Sequence, residues 1–394
     1  MTPEPGSPLP PYAARLARIR EAIAAADVHA LLVTHPPNVR YLTGFDGSMG
    51  ALLVARDLCT LFVDGRYLTT AHALISRLPE LSPVSVALVE GGHEEAIAGS
   101  IPADRGVERI GIEAAAMTVS RFERLISAMR DTHSASGRAV PRLVPLERIV
   151  EEGRLVKDQT EISTLREAAR RLSAVARDIL PLAQAGRRER EIAADIDAAL
   201  RRAGFERPAF DTIVASGPNS ALPHARPGDR RLHPGDGVVL DFGGVYDGYC
   251  VDLTRTVQLP PRTGAFGHLL DAVGAAHDAA IAAVAPGVPG SAVDAAAREV
   301  LEARGLGEAF VHGTGHGLGL EVHEEPRISR TGARRGDVLR PGMVFTIEPG
   351  AYIPGLGGVR LEDDVLVDAG GCEVLTDVPI EQASAVPGGA RQDG

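Results

Sequence analysis

The sequence predicts a two-part chain: a small α/β domain over residues 12–150, then a larger α+β domain over 151–383 with an internal duplication. Three observations predict it. At 394 residues the chain is too long for one ordinary core, given about 150 residues per domain. Short apolar runs alternate with helical patterns up to about residue 145 and then give way to longer helices and Gly-Pro turns. Two stretches of the second part also repeat each other in register.

The elements follow in order. The proline-rich start, residues 1–11, and the tail, 384–394, read as disordered ends. Leu16, Ile19 and Ile23 recur at helical spacing across 12–26. The apolar runs Ala30–Thr34, Gly50–Ala55 and Thr60–Val63, separated by turn residues, read as strands. Ser120 with Glu123 spells a capping box for a further helix. Asp158 with Glu161 spells another, opening a helix that runs towards Leu180.

The duplication comes next. GRREREIAADIDAALRRAGF from Gly186 matches GVPGSAVDAAAREVLEARGL from Gly287, an offset of 101. Both are amphipathic helices that stop at a glycine, Gly204 and Gly305, as a C-cap requires. LHPGDGVVLD from Leu232 matches LRPGMVFTIE from Leu339, an offset of 107. These two strands end on Asp241 and Glu348, and each half turns back to a second acid, Asp252 or Glu362. Two such halves should pack about a pseudo-twofold axis with the four carboxylates at their junction.

The first acid pair can be placed from the turn alone. Asp247-Gly248 is a two-residue hairpin signal, so Tyr246 pairs with Tyr249 and Gly243 with Asp252. Asp241 lies two residues from Gly243 and shares its face. It is then a diagonal neighbour of Asp252, about 7–8 Å away at the backbone. An acid pair in a surface hairpin is common, but Asp241 follows the apolar run Val238-Val239-Leu240 and the second half repeats the arrangement. Buried together, such acids repel and need a cation. His312, His316 and His323 cluster in VHGTGHGLGLEVHEEP, whose glycines argue against a helical zinc motif. Carboxylates with one imidazole suit Mn²⁺, Co²⁺ or Fe²⁺, and Zn²⁺ less distinctively. Two ions about 3.5–4 Å apart would activate water and polarise a carbonyl.

Composition removes other classes. A net charge of −11 disfavours a nucleic-acid partner. Lys157 is the only lysine, which leaves little room for Schiff-base chemistry or a lysine phosphate loop. Cys59, Cys250 and Cys372 are dispersed and form neither a disulfide framework nor a thiolate site. No apolar run approaches the roughly 20 residues of a membrane span, and the start lacks a secretory pattern, so the expected compartment is the cytoplasm. There is no G-x-S-x-G elbow for a serine hydrolase.

The ordered set Asp241, Asp252, His316, Glu348 and Glu362 resembles the ligands of the pita-bread (creatinase/aminopeptidase-like) metallopeptidases. The segments LDFGGVYDGYCVDLTRT, HGTGHGLGLEVHE, TIEPGAY and GVRLEDD carry the resemblance. NVRYLTGFDGSMGALLV with TLFVDGRY resembles the N-terminal domain of the proline-specific branch, aminopeptidase P and Xaa-Pro dipeptidase. The resemblance implies two divalent ions per chain, most readily Mn²⁺, with Asp252 bridging them. It implies Glu348 as proton acceptor, His224 near the scissile bond, and His323 as stabiliser of the developing oxyanion. His312 would line the proline pocket, and Tyr352 and Arg360 would support the ligands, Arg360 orienting Glu362. The substrates implied are small peptides with proline second, and the assembly a homodimer or homotetramer. Aminopeptidase P is the preferred reading and Xaa-Pro dipeptidase the alternative. A dipeptidase must grip the carboxylate beyond proline, for which Arg327, Arg334 and Arg335 are candidates. A creatinase-like hydrolase and a non-catalytic binding protein rank lower, because every ligand is present.

Overall fold

A computed structural model describes residues 10–101, 107–134, 139–262, 264–331 and 338–379. Residues 1–9 and 384–394 of the expected disordered ends, and the candidates Arg334 and Arg335, lie outside these. The chain forms two compact units that divide between Arg154 and Leu155.

In the first unit, six strands form one sheet: β1 (Ala30–Val33), β2 (Ala51–Ala55), β3 (Cys59–Val63), β4 (Ser85–Leu88), β5 (Arg109–Glu113) and β6 (Arg142–Leu146). Their order is β4-β3-β2-β1-β5-β6. β1, β2 and β3 are antiparallel neighbours, and the remaining pairs are parallel. β1 to β3 are buried at every position, which explains why they read as unbroken apolar runs. The helix Tyr12–Ala25 buries Leu16, Ile19 and Ile23, the residues whose spacing predicted it. One expected cap is wrong. The helix Val119–Ser134 begins before Ser120, and the Thr118 hydroxyl accepts from Arg121 N–H. Thr118 supplies that contact two residues earlier, while the Ser120 hydroxyl accepts from Arg124.

In the second unit, the helix Gln159–Ile179 opens with the expected capping box at Asp158 and Glu161. The duplication is visible in backbone detail. The helices Glu189–Arg202 and Gly290–Ala303 have 14 residues each and start 101 positions apart. Gly186 N–H donates to Leu232 O, and Gly287 N–H to Leu339 O, both at 2.8 Å. The strands of this unit are β7 (Arg207–Pro208), β8 (Ile213–Ser216), β9 (Gly237–Tyr246), β10 (Tyr249–Gln258), β11 (Gly315–Gly317) and β12 (Glu324–Ile328). They continue with β13 (Val344–Ile347), β14 (Gly350–Ile353), β15 (Gly357–Arg360), β16 (Asp363–Val367) and β17 (Cys372–Val374). β9 takes β10 on one side and β7 and β8 on the other. The second half has the order β12-β11-β13-β16-β17, with β14-β15 as a separate hairpin.

Two apolar cores support the halves, the first also taking in Val344 and Leu366 of the second half. Leu165, Leu172, Ile192, Ile196, Leu240 and Leu253 belong to the first. Val273, Val293, Leu301, Phe345, Leu361 and Val365 belong to the second. Between the halves, Thr254 and Glu362 form an antiparallel bridge, Glu362 N–H donating to Thr254 O at 3.0 Å. The β9–β10 turn is the expected one: Asp247 and Gly248 have φ of 46° and 78°, and Asp252 pairs with Gly243.

Candidate metal centre

The duplicated strands deliver their acids to one cavity of about 760 Å³. Asp241, Asp252, Glu348 and Glu362 line it together with His224, His312, His316, His323 and Arg360. Tyr352 stands behind this wall, bonded to both His312 and Arg360. Ligand atoms of Asp252, His316 and Glu362 lie within 4.8 Å of one another, and all three residues are buried. Glu348 joins from the strand end, its Oε1 3.6 Å from His316 Nε2.

His316 owes its place to the glycines beside it. A Cβ on Gly315 would sit 1.8 Å from Thr346 O, and one on Gly317 would sit 2.1 Å from Glu325 O. Only glycine lets β11 slip between β12 and β13 at this depth. His316 Nδ1 donates to Gly317 O at 3.1 Å, which leaves the Nε2 lone pair aimed at the acids. Burial, the neighbouring His323 and the Arg327 charge push its pKa down to about 4, so the ring is neutral and ligand-ready.

The acids are destabilised as anions. Burial, then Asp241, raises Asp252 well above the carboxylate range. Burial, then Asp252, does the same to Glu362. Glu348 is pushed up to about 7, again mainly by burial. Asp241 Oδ1 and Asp252 Oδ1 are buried without a hydrogen-bond donor. Crowded acids with bare oxygens beside a neutral imidazole fit a divalent cation.

The supporting contacts differ from one expectation. The fork of Arg360 goes to Asp241 rather than to Glu362: Nη2 donates to Asp241 Oδ2 and Nη1 to Tyr352 Oη at 2.8 Å. Glu362 is held instead by Thr254, whose hydroxyl donates to Oε2 at 2.5 Å. Arg360 reaches Thr254 Oγ1 from the other side at 3.3 Å. Tyr352 Oη lies 2.9 Å from His312 Nε2. Because Arg360 donates to that hydroxyl, the hydroxyl proton points at His312, and His312 Nδ1 donates to Gly313 O at 2.8 Å. Burial holds His312 near pKa 4, consistent with this neutral ring. His323 stacks edge-on to His316 with ring centres 4.4 Å apart.

Sequence reasoning did not single out Thr254 or Asp364. Asp364 Oδ2 accepts Asp252 N–H at 3.0 Å, fixing the backbone of that ligand. The hairpin register places Thr254 opposite Asp241, a signal available from the turn alone.

Residues 163–369 match metallopeptidase family M24, and residues 15–156 match the creatinase/prolidase N-terminal domain. The peptidase YqhT of Bacillus subtilis is 35% identical over 93% of this chain and 99% of its own length. A solved Xaa-Pro dipeptidase from Bacillus anthracis superposes with a TM-score of 0.85 at 33% identity, covering 93% of this chain and 98% of that one. An X-Pro aminopeptidase from Thermotoga maritima superposes at 0.80, also at 33% identity, covering 91% and 98%. No helix among the described residues is long and apolar enough to cross a membrane. The chain therefore belongs to metallopeptidase family M24, with a creatinase/prolidase domain before its catalytic unit.

Proposed function

We propose that this chain hydrolyses the bond between an N-terminal residue and a following proline, using two divalent ions, most readily Mn²⁺. The observation that carries this reading is the convergence of Asp252, His316 and Glu362 within 4.8 Å on a wall they share with Asp241 and Glu348. Asp241, Asp252, His316, Glu348 and Glu362 would hold the ions. When bound, the ions supply an activated water and polarise the scissile carbonyl.

The chain's own groups do the rest. Glu348, at the end of β13 on the cavity wall, takes the proton of the attacking water. His323, held neutral by burial and the Arg327 charge, donates its N–H to the negative charge growing on the carbonyl oxygen. His224 lines the cavity beside the scissile bond. The series Asp241–Arg360–Tyr352–His312 fixes the proline-side wall. An Xaa-Pro bond has no N–H, so recognition must come through the carbonyl and the ring.

Two lengths of substrate fit this chemistry. The aminopeptidase reading takes longer peptides. The dipeptidase reading has one observation in its favour: the guanidinium of Arg327 faces the cavity without a carboxylate partner among the described residues. Such a group suits a substrate carboxylate. The functional assembly is a homodimer or homotetramer. Hydrolysis of matched Xaa-Pro and Xaa-Pro-Xaa peptides, after chelation and metal add-back, tests the whole reading. Cleavage of the dipeptide alone selects the dipeptidase, and cleavage of neither ends the proposal.

A further inference from the structure

The loop that carries His224 is tied at both ends to one buried carboxylate. Glu189 is the first residue of its helix and is fully buried. Its Oε1 accepts from Ser216 N–H at 2.8 Å, from the Ser216 hydroxyl at 2.7 Å and from Asn219 Nδ2 at 3.0 Å. Its Oε2 accepts from Asn219 Nδ2 at 3.1 Å and from Gly228 N–H at 3.1 Å. Ser216 and Asn219 precede the loop and Gly228 follows it. The residues between, 220–227, include Pro223, His224, Ala225 and Arg226, all on the cavity wall. His224 itself is exposed to the cavity and packs against little. Its position therefore depends on where its loop is pinned.

The other half contains a related device with a different load. Asp294, also fully buried, takes the guanidinium of Arg298 at 2.6 and 3.1 Å. It also accepts Thr314 N–H at 3.0 Å and the Thr314 hydroxyl at 2.9 Å. Arg298 reaches the carbonyls of Phe310 and His312. Thr314 O accepts Glu348 N–H at 2.7 Å, so this device bears directly on a candidate ligand. Among the described residues no such bond joins the Glu189 group to a candidate ligand, although the loop itself accepts Arg360 Nη1 at Pro223 O, 3.3 Å away. The direct contacts of Glu189 are with Ser216 at the end of β8, and with Asn219 and Gly228 on the two sides of the loop.

We propose that Glu189 is a positioning residue for His224, holding the 220–227 loop so that this ring meets the substrate, while Asp294 positions the metal-binding side. The inference rests on the proline-specific peptidase reading for its consequence in catalysis, but not for its geometry. Glu189→Gln keeps the volume and replaces one acceptor oxygen by a donor facing other donors. A displacement of about 1 Å costs about 10²-fold in rate, and that is the loss expected in kcat/KM.

The test has two arms. In the first, amide hydrogen exchange is followed in the wild type and in Glu189→Gln. Faster exchange confined to residues 217–228 supports the proposal, and unchanged exchange there overturns it, whatever the substrate proves to be. In the second, kcat and KM for an Xaa-Pro peptide are measured in Glu189→Gln, His224→Ala and the double variant, with metal content and Tm. If Glu189 acts through His224, the double variant is no slower than His224→Ala, and bound metal stays at the wild-type level. Multiplying losses, or a loss that tracks missing metal, overturns the proposal. Asn219→Ala, which removes one donor and leaves the acid in place, repeats both arms should Glu189→Gln fail to fold. Asp294→Asn is the contrast and should lose metal. A wild type that leaves Xaa-Pro peptides intact removes the substrate reading, while the exchange arm still decides the clamp.

Discussion

The two halves of the catalytic unit share a plan and differ at the point that makes the centre a metal site. Subtracting 107 carries Phe345 of β13 onto Val238 of β9. Subtracting 101 carries Gly317 of β11 onto Ser216 of β8, and both pairs are strand partners. The same offset places His316 on Ala215, which is buried in a small apolar cluster with Ala225 and Val239. One half thus presents an imidazole where the other presents a methyl group. The acids are more even, because Asp241 matches Glu348 and Asp252 matches Glu362. The connection between them is not. The first half joins its acids by an uninterrupted hairpin with a two-residue turn. In the second, the connection is the separate hairpin β14–β15, which brings in Tyr352 and Arg360. Duplication accounts for the carboxylates, and divergence for the imidazole and the hydrogen-bonded wall beside it.

The largest expected effect comes from erasing the difference. His316→Ala makes the halves alike at this position and should remove bound metal and nearly all turnover. Glu362→Ala and Asp252→Ala should do the same, because each removes one of the three clustered donors. Metal analysis with kcat on the purified variants checks this, and two ions per chain at normal kcat would show that the site lies elsewhere.

His323 has no ligand duty in this account, so His323→Ala should keep the metal and lose kcat by about 10²–10³, the usual cost of one oxyanion donor. A near wild-type kcat, or a loss that follows metal content, removes it from the mechanism. Arg360→Lys keeps the charge but not the fork that holds Asp241 and Tyr352 together. A drop of about 10–100-fold in activity or metal affinity is expected, and full activity would reduce Arg360 to a counter-charge.

The acids also predict how metal-free protein responds to pH. Glu348, Asp252 and Glu362 have folded pKa values above their unfolded ones, Glu348 at about 7 from 4.5. Groups raised in this way favour the fold at low pH and cost stability as they ionise. His312 and His316, lowered to about 4, act in the opposite sense over the same interval, so the acid contribution is read as a difference. As pH rises from 4.5 to 7 the Tm of stripped wild type should fall relative to that of stripped Glu348→Gln, and saturating Mn²⁺ should flatten that difference. A difference that stays flat or reverses over this interval without metal contradicts the burial argument. The smallest effect concerns the turn. Gly248 has φ of 78°, so Gly248→Ala should cost about 1–2 kcal/mol in stability and leave kcat unchanged.

Much of this centre is legible in the sequence. The Asp-Gly turn fixes the β9–β10 register residue by residue, and the repeated L-x-P-G strands mark equivalent acids. What stayed hidden depends on long-range partners. Arg360 lies two residues from Glu362, and strand alternation pointed it there. Its fork instead goes to Asp241, 119 positions away, because the halves meet at the Thr254–Glu362 bridge. Glu189 looks like an ordinary helix-start acid, yet its partners lie 27 to 39 positions on, in loops with no periodic signal. The Ser120 cap failed for the opposite reason: Thr118, equally able to cap, sits two residues before it.

The central claim is that converging buried acids and one imidazole serve a catalytic ion pair. It is tested most directly by titrating Mn²⁺ or Co²⁺ into chelator-stripped protein while metal per chain and Xaa-Pro hydrolysis are read on the same samples. The account predicts no turnover at zero occupancy and activity that rises with the ions bound, reaching its maximum at two per chain. Full turnover in protein shown to hold no metal would contradict it.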